Sequence, residues 1–275
     1  MDLHSSQIQG YFDIPCDHIY GSPVLNDDIQ ACAYDNVMVV SPDIGGVVRV
    51  PEVAAHVRTL SGKIGSLSII GAVSPPSADF SEPVTTHTKR YVRCFWALDP
   101  GRAQARFYPA VHPLHSYSED VEVLAPFWSQ CGNPQWAEQR RRFLGLLSQQ
   151  ATLERMARIV GKDALPPRQQ QVLLCAELIN EAFLRQSAFS PLDRFCSPER
   201  QIAMMQTLVQ FIDLCEAALA QQVDMAKVAE LPLLRRLRRM GEDIGDQQLD
   251  RFDALRRDME AEFLQLARAG AGDAG

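Results

Sequence analysis

The residues best suited to chemistry in this sequence are those that could bind a phosphate chain. A loop of the type Gly-x-x-x-x-Gly-Lys-Ser/Thr neutralises phosphate charge with backbone amides and a lysine, and its hydroxyl holds magnesium. The chain has two Gly-Lys pairs, Gly62-Lys63 and Gly161-Lys162. Neither has a glycine five residues earlier, and Ile64 and Asp163 follow the lysines in place of a hydroxyl residue. We therefore expect no hydrolysis of a nucleoside triphosphate, because its charge would meet no preorganised positive field.

No other set of side chains in the sequence replaces such a loop. The histidines are scattered, and the closest pair, His112 and His115, has no Cys, Asp or Glu spaced to complete a metal site. The seven cysteines include no Cys-x-x-Cys pair, which is typical of reduced, buried thiols in a cytoplasmic protein. The net charge of −7 argues against nucleic-acid binding, which needs an excess of Lys and Arg.

A carboxylate follows a short apolar run near the N-terminus. Residues 37–40 predict a buried strand, and the turn 41–46 (SPDIGG) places Asp43 at its carboxyl end beside two glycines. In open α/β sheets this is a common place for ligand or metal contacts. A solvent-exposed turn aspartate fits the same pattern, so the spacing leaves both interpretations open.

Residues 1–49 resemble ribose-phosphate diphosphokinase, through DLHSSQIQGYFDIP (2–15) and SPDIGG (41–46). The resemblance implies that His4 and Asp43 help to hold magnesium-ATP, and Asp43 is the better ligand because magnesium prefers oxygen. The catalytic lysine loop and the acidic, threonine-rich loop of that family have no counterpart after the turn. Since phosphoryl transfer depends on several separately positioned groups, we expect no diphosphokinase activity.

The secondary-structure elements predicted after Val50 are a strand, a turn and a segment that fits either state. Residues 66–73 (SLSIIGAV) predict a buried strand, and the serine and prolines at 74–76 end it. The apolar positions of 84–96 fit a helix and a strand equally well. Two loop acids, Asp79 and Glu82, are more typical of turn formation than of a catalytic carboxylate pair.

From Trp136 onward the apolar spacing is helical. One or two helices are expected to end near Gly161, and another starts at Pro198 with Ser197 as its N-cap. A last amphipathic helix, with Asp246 as a candidate cap, precedes a Gly- and Ala-rich tail that we expect to be disordered from residue 269.

Residues 56–268 resemble the catalytic, nucleotide-binding subunit of the V/A-type ATP synthase rotary head, most clearly over 65–99, 105–118 and 178–201. The resemblance implies that Phe189 stacks on adenine and that Tyr108 and Pro109 form a second wall of the pocket. From the residues alone, a core or helix-end role for Phe189 stays open. The implied ligands are ATP or ADP with magnesium, and the implied partners are the other head and central-stalk subunits.

These patterns predict an α+β fold, in which a remnant of an α/β sheet precedes a C-terminal α-helical bundle. The expected domains are 1–49, 50–130, 131–268 and a tail at 269–275. The predicted function is adenine-nucleotide binding or rotary-head assembly linked to ion transport, without catalysis. The alternatives are a ribose-phosphate diphosphokinase-like enzyme and a chimera without an evolved function. We expect a cytoplasmic protein, peripheral to the membrane through a rotary complex, because neither a signal peptide nor a membrane span is visible.

Overall fold

The computed structural model describes residues 39–40, 69–75, 79–162 and 164–272. The chain divides into two compact units, Met1–Arg90 and Tyr91–Gly275. The predicted magnesium residues His4 and Asp43, and most of the predicted domain 1–49, lie outside the described residues. The domain boundaries proposed from the sequence stay a prediction.

The first unit contains a two-stranded parallel sheet and a helix. Strands β1 (Val39–Val40) and β2 (Ile69–Ile70) pair with Val39 opposite Ile69. The two short strands thus come from either side of Val50. Gly71 and Ala72, which the sequence assigned to the second strand, are exposed and irregular, so the strand is shorter than predicted.

Helix α1 (Pro83–Tyr91) begins at two acids that act as turn and cap residues. Asp79 accepts hydrogen bonds from the backbone N–H and the hydroxyl of Ser81, at 2.9 and 2.6 Å. The Glu82 carboxylate accepts the backbone N–H groups of Val84 and Thr85, at 3.0 and 2.9 Å. These bonds lower the pKa of both carboxyls because they favour the charged form. The interpretation of Asp79 and Glu82 as local structure-formers is confirmed.

The second unit opens with an antiparallel pair, β3 (Cys94–Phe95) and β4 (Tyr117–Ser118), joined through Phe95 opposite Tyr117. The stretch 84–96, which fitted either state, is therefore a helix followed by a strand. Between β3 and β4 lies the short helix α2 (Pro100–Gln104), whose N-cap Asp99 accepts the backbone N–H of Arg102 at 3.0 Å.

A helical bundle makes up the rest of the second unit, which confirms the α+β class. Its elements are α3 (Val121–Gln130), α4 (Trp136–Val160), α5 (Pro167–Ile179), a π-helical turn (Asn180–Leu184), α6 (Pro198–Ala220), α7 (Met225–Ala229), α8 (Leu233–Arg238), α9 (Met240–Asp243) and α10 (Asp250–Gly272).

Local signals set several helix ends as the sequence predicted. Gly161 follows α4 with a φ of 88°, a conformation that glycine adopts without strain. Ser197 caps α6 by accepting the backbone N–H of Arg200 at 3.2 Å, with Pro198 at the first helical position.

One expectation at the last helix is wrong. Asp246 does not cap α10, which begins at Asp250; its carboxylate instead accepts the backbone N–H of Ser197 at 3.2 Å. The helix continues to Gly272, and the tail expected over 269–275 stays a prediction.

Helix α6 runs through the centre of the core. By length and composition alone it is the one helix in the described part of the chain that could cross a membrane. Half of the most apolar 18-residue stretch of this helix is buried inside the protein. Leu208, Phe211 and Cys215 on this helix are at most 1% exposed. Packing against α5 and α10 accounts for its apolar character, as it does for core helices in general.

Candidate functional site

The turn that carries Tyr108 and Pro109 is fixed by hydrogen bonds to the segment before α2. Asp99 N–H donates to the carbonyl of Ala110, and His112 N–H donates to the carbonyl of Ala97, both at 2.8 Å. The Tyr108–Pro109 peptide bond is cis. The side chain of Tyr108 remains 53% exposed, so this turn presents an aromatic ring to solvent on a constrained backbone.

The guanidinium of Arg102 connects this turn to the bundle. It lies 4.5 Å from the centre of the Phe107 ring, and it donates to the side-chain oxygen of Asn180 at 2.7 Å. Asn180 in turn donates to the side-chain oxygen of Gln150 at 2.9 Å. Burial lowers the pKa of Arg102, an effect that the charge of Asp99 opposes. The group stays charged because an arginine side chain is effectively always protonated.

Phe189, the residue predicted to stack on adenine, lies in the loop 185–197 between the π-helical turn and α6. Its side chain is 99% exposed, so the interpretation of Phe189 as a core residue is wrong. Three residues earlier, the backbone N–H of Gln186 donates to the carbonyl of Tyr108 at 2.8 Å. This bond brings together two segments that are 78 positions apart in sequence, and both carry exposed aromatic rings.

A buried pair of charged residues organises the 185–197 loop. Arg200 is 1% exposed and Asp193 is 7% exposed. The Arg200 guanidinium donates to the carbonyls of Leu192 and Phe195, at 2.6 and 2.9 Å. Asp193 accepts the backbone N–H of Ser187 at 2.5 Å. No local pattern in the sequence indicates these roles, because an arginine in a helix's first turn is ordinarily exposed.

A polar groove of about 690 Å³ runs between the α2 region and helices α4 and α5. Its lining includes Asp99, Arg102, His112, Glu154 and Asn180. His112 lies 3.8 Å from the Asp99 carboxylate and stacks on His115, with ring centroids 3.8 Å apart. Burial, and next the charge of His115, lower the pKa of His112, so this imidazole favours its neutral form.

No metal site is visible in the part of the chain that the structure describes. Within those ranges, no group of three or more His, Cys, Asp or Glu side chains is arranged to hold an ion. The predicted magnesium contacts of His4 and Asp43 stay a prediction.

The chain matches two protein-family models. Residues 47–118 match the nucleotide-binding domain of the ATP synthase alpha/beta family, and residues 126–229 match the C-terminal domain of V and A type ATP synthase. The Tyr108 turn thus lies in the matched nucleotide-binding domain and the Phe189 loop in the matched C-terminal domain, and both domains are those of ATP synthase proteins.

Among proteins of known family, the chain is similar to V-type and A-type ATP synthase chains. The V-type ATP synthase alpha chain of Nitrosococcus oceani is 40% identical over 220 residues, which are 80% of this chain and 37% of the relative. The corresponding A-type ATP synthase protein of Pyrococcus abyssi is 41% identical over 191 residues, 69% of this chain and 19% of the relative. The solved ATP synthase subunit NeqB of Nanoarcheaum equitans aligns with 54% of this chain and 35% of that chain, at 20% identity and a TM-score of 0.45.

The chain therefore belongs to the family of V/A-type ATP synthase alpha chains, of which it contains a nucleotide-binding segment and the C-terminal domain. It spans little more than a third of the length of the V-type relative. Because the family match begins at residue 47, the resemblance of residues 1–49 to ribose-phosphate diphosphokinase is not confirmed and stays a prediction.

Proposed function

We propose that this chain binds the adenine end of a nucleotide between Phe189 and the Tyr108-Pro109 turn, without hydrolysing it. The hydrogen bond from Gln186 N–H to the Tyr108 carbonyl, at 2.8 Å, is the observation that carries the proposal. It ties the backbone of one wall to the backbone of the other, so the two aromatic side chains stay in one region. The family's nucleotide-binding domain, matched over 47–118, supports the class of ligand.

The exposure of the two rings supports a binding role. A fully exposed phenylalanine leaves its apolar surface in water, and burial of such surface against a ligand is favourable. Adenine offers a flat face to both rings, and stacking on an aromatic side chain contributes about 1–3 kcal/mol per base. Phe189 is therefore the wall whose removal should weaken binding most.

The proposed site has no strong hold on the phosphates. The sequence contains no Gly-x-x-x-x-Gly-Lys-Ser/Thr motif. The phosphates would therefore lack the hydrogen bonds from backbone amides and the lysine charge that such a loop supplies. We accordingly propose weak binding of ATP or ADP, with magnesium entering only with the nucleotide. Stacking supplies most of the affinity, and the base should be recognised better than the phosphate chain.

Titration with a fluorescent ADP analogue, followed by fluorescence anisotropy, tests the proposal. Phe189→Ala should weaken binding by roughly 5- to 150-fold, the equivalent of the stacking energy. Phe195→Ala is the matched control, because Phe195 lies in the same loop and is also exposed, at 70%. Unlabelled ADP should displace the analogue from the unaltered chain, whereas ribose 5-phosphate should not.

Equal affinities of Phe189→Ala and the unaltered chain would refute the adenine pocket. Equal losses in Phe189→Ala and Phe195→Ala would also refute it, since they would indicate nonspecific adhesion of the dye to an apolar loop.

A role in rotary-head assembly is the second function, and helix α3 favours it. Val123, Leu124 and Phe127 lie on this helix and are 68%, 42% and 47% exposed. Clustered exposed apolar side chains commonly mark protein-binding surfaces. The proposed partners are the other head and central-stalk subunits of a V/A-type ATP synthase, through which the chain would take part in ion transport at the membrane surface.

Gel filtration with a V/A-type head assembled without its own alpha chain tests this role. The unaltered chain should co-elute with the head, and Val123→Asp combined with Phe127→Ser should prevent co-elution. Leu264→Ser on α10 is the control, because Leu264 is similarly exposed at 58% on another helix. Co-elution that survives the double change, or no co-elution at all, would refute the role of α3.

A further inference from the structure

The guanidinium of Arg200 is buried at the start of helix α6 and reaches three separate backbone carbonyls. It donates to Leu192 and Phe195 in the 185–197 loop, and to Gly241 in helix α9. A single side chain therefore fastens the loop to two helices. Arginine can do this because its planar group carries five donors in a fixed fork.

Two carboxylates balance the buried charge of Arg200 without contacting it closely. The ion pairs to Asp193 and Asp246 measure 3.9 and 3.8 Å. Both carboxylates are occupied by backbone N–H donors, Ser187 for Asp193 and Ser197 for Asp246. The charges thus hold the two ends of the 185–197 loop, since Ser187 lies near its start and Ser197 at its end.

Asp193 folds the segment around Phe189 into a closed turn. Its carboxylate accepts Ser187 N–H at 2.5 Å, and its carbonyl accepts the side-chain amide of Gln186 at 2.7 Å. Its own N–H donates to the Ser190 hydroxyl at 3.3 Å. Phe189 lies between these anchor points, so its fully exposed ring is carried on a constrained backbone.

We propose that Arg200, acting through Asp193, is a positioning residue that holds Phe189 in the geometry needed to stack on the base. This inference rests on the proposed adenine site. It adds that a buried residue outside the site, Arg200, holds the site's loop in place, a role that the sequence alone does not indicate. Without the buried guanidinium, the 185–197 loop would lose its fastening to α6 and α9. Phe189 would then have to be ordered at the moment of binding, which lowers affinity.

Arg200→Lys and Asp193→Asn test the proposal by two measurements on the full chain. The first is hydrogen–deuterium exchange of the 186–195 segment, compared with the α5 segment 167–179. The second is the affinity for the fluorescent ADP analogue. Lysine keeps the charge but cannot reach three carbonyls at once, and Asp193→Asn leaves the helix core untouched.

Both variants should speed exchange of the 186–195 segment by about tenfold or more, because a charge-assisted hydrogen bond is worth about that factor in an equilibrium constant. Exchange of α5 should not change. Both should also weaken binding of the analogue at least fivefold. Phe189→Ala should weaken binding without faster exchange, and Arg236→Lys, in an exposed pair with Asp258 at 2.7 Å, should change neither.

Unchanged exchange in both variants would overturn the proposal, and so would faster exchange with unchanged affinity. If Arg200→Lys does not fold, as judged by circular dichroism, Asp193→Asn decides between these results. If Phe189→Ala leaves the affinity unaltered, the adenine site itself is wrong, and the exchange data separately decide whether Arg200 fastens the loop.

Discussion

Replacing Gly241 by alanine would place a methyl group against the carboxylate of Asp193. A Cβ at this position in α9 would lie 3.0 Å from Asp193 Oδ1 and 3.4 Å from the Met204 terminal methyl. The carboxylate has little room to retreat, because Ser187 N–H holds its other oxygen at 2.5 Å. We therefore expect Gly241→Ala to strain the same cluster that fastens the 185–197 loop.

Gly145→Ala in helix α4 provides a matched comparison. A Cβ there meets no atom within 4 Å, so alanine should stabilise the helix by about 0.4–1 kcal/mol through its higher propensity and the smaller entropy of its unfolded chain. The same local gain applies to Gly241, which is also helical. The difference between the two variants isolates the steric cost, and overpacking of this kind costs about 1–3 kcal/mol.

Urea denaturation followed by circular dichroism measures both free energies of unfolding. Gly145→Ala should shift the midpoint upward and Gly241→Ala downward, with unchanged slopes. A difference below about 0.5 kcal/mol would refute the reasoning, because it would mean that the Asp193 carboxylate moves freely and is not held by Ser187.

Burial and charge lead to three further predictions. Phe211→Ala should lower the free energy of unfolding by about 3–5 kcal/mol in the same denaturation assay, because Phe211 is fully buried and packs edge-to-face on Phe263; a loss below about 1 kcal/mol would contradict this packing. The hydrogen bond to Cys175 and burial raise the pKa of the Cys215 thiol. Cys215 should therefore react with a thiol reagent only after unfolding, whereas exposed Cys94 should react in the native state. Reaction of buried Cys175 or Cys215 in the native state would contradict this prediction. Because burial lowers the pKa of His112, the unfolded chain binds the proton more tightly than the native chain. The free energy of unfolding should therefore fall as the pH drops below about 6.5, and His112→Gln should reduce that dependence. The same pH dependence of unfolding in His112→Gln and the unaltered chain would contradict this prediction.

The local parts of this structure were predictable from the sequence. Ser197 and Pro198 start α6, and Gly161 ends α4, because caps and positive-φ glycines act within a few residues of their own position. The apolar stripes that form the core follow from helical periodicity. The segments that resemble the V/A-type catalytic subunit lie within the matched family domains. Such a resemblance can be read from the sequence because it depends on contiguous residues.

Positions whose behaviour depends on distant partners were not predictable in this way. The stretch 84–96 fitted helix and strand equally, and its division follows from the pairing of Phe95 with Tyr117. Asp246 was a plausible cap for its own helix, but it binds Ser197, 49 residues earlier. In each case a contact across the fold decides between two local options of similar energy.

The order of residues along the chain is enough to indicate its family, the stretches that form its long helices, and the lack of a Gly-x-x-x-x-Gly-Lys-Ser/Thr motif. The contacts of the folded chain are needed to see that Phe189 faces solvent, that its loop bonds to Tyr108, and that Arg200 is buried against carbonyls of the same loop. The physical reason is that helix formation and capping act over a few residues along the chain. Exposure and the pairing of buried charges are instead set by atoms that the fold brings together from far apart.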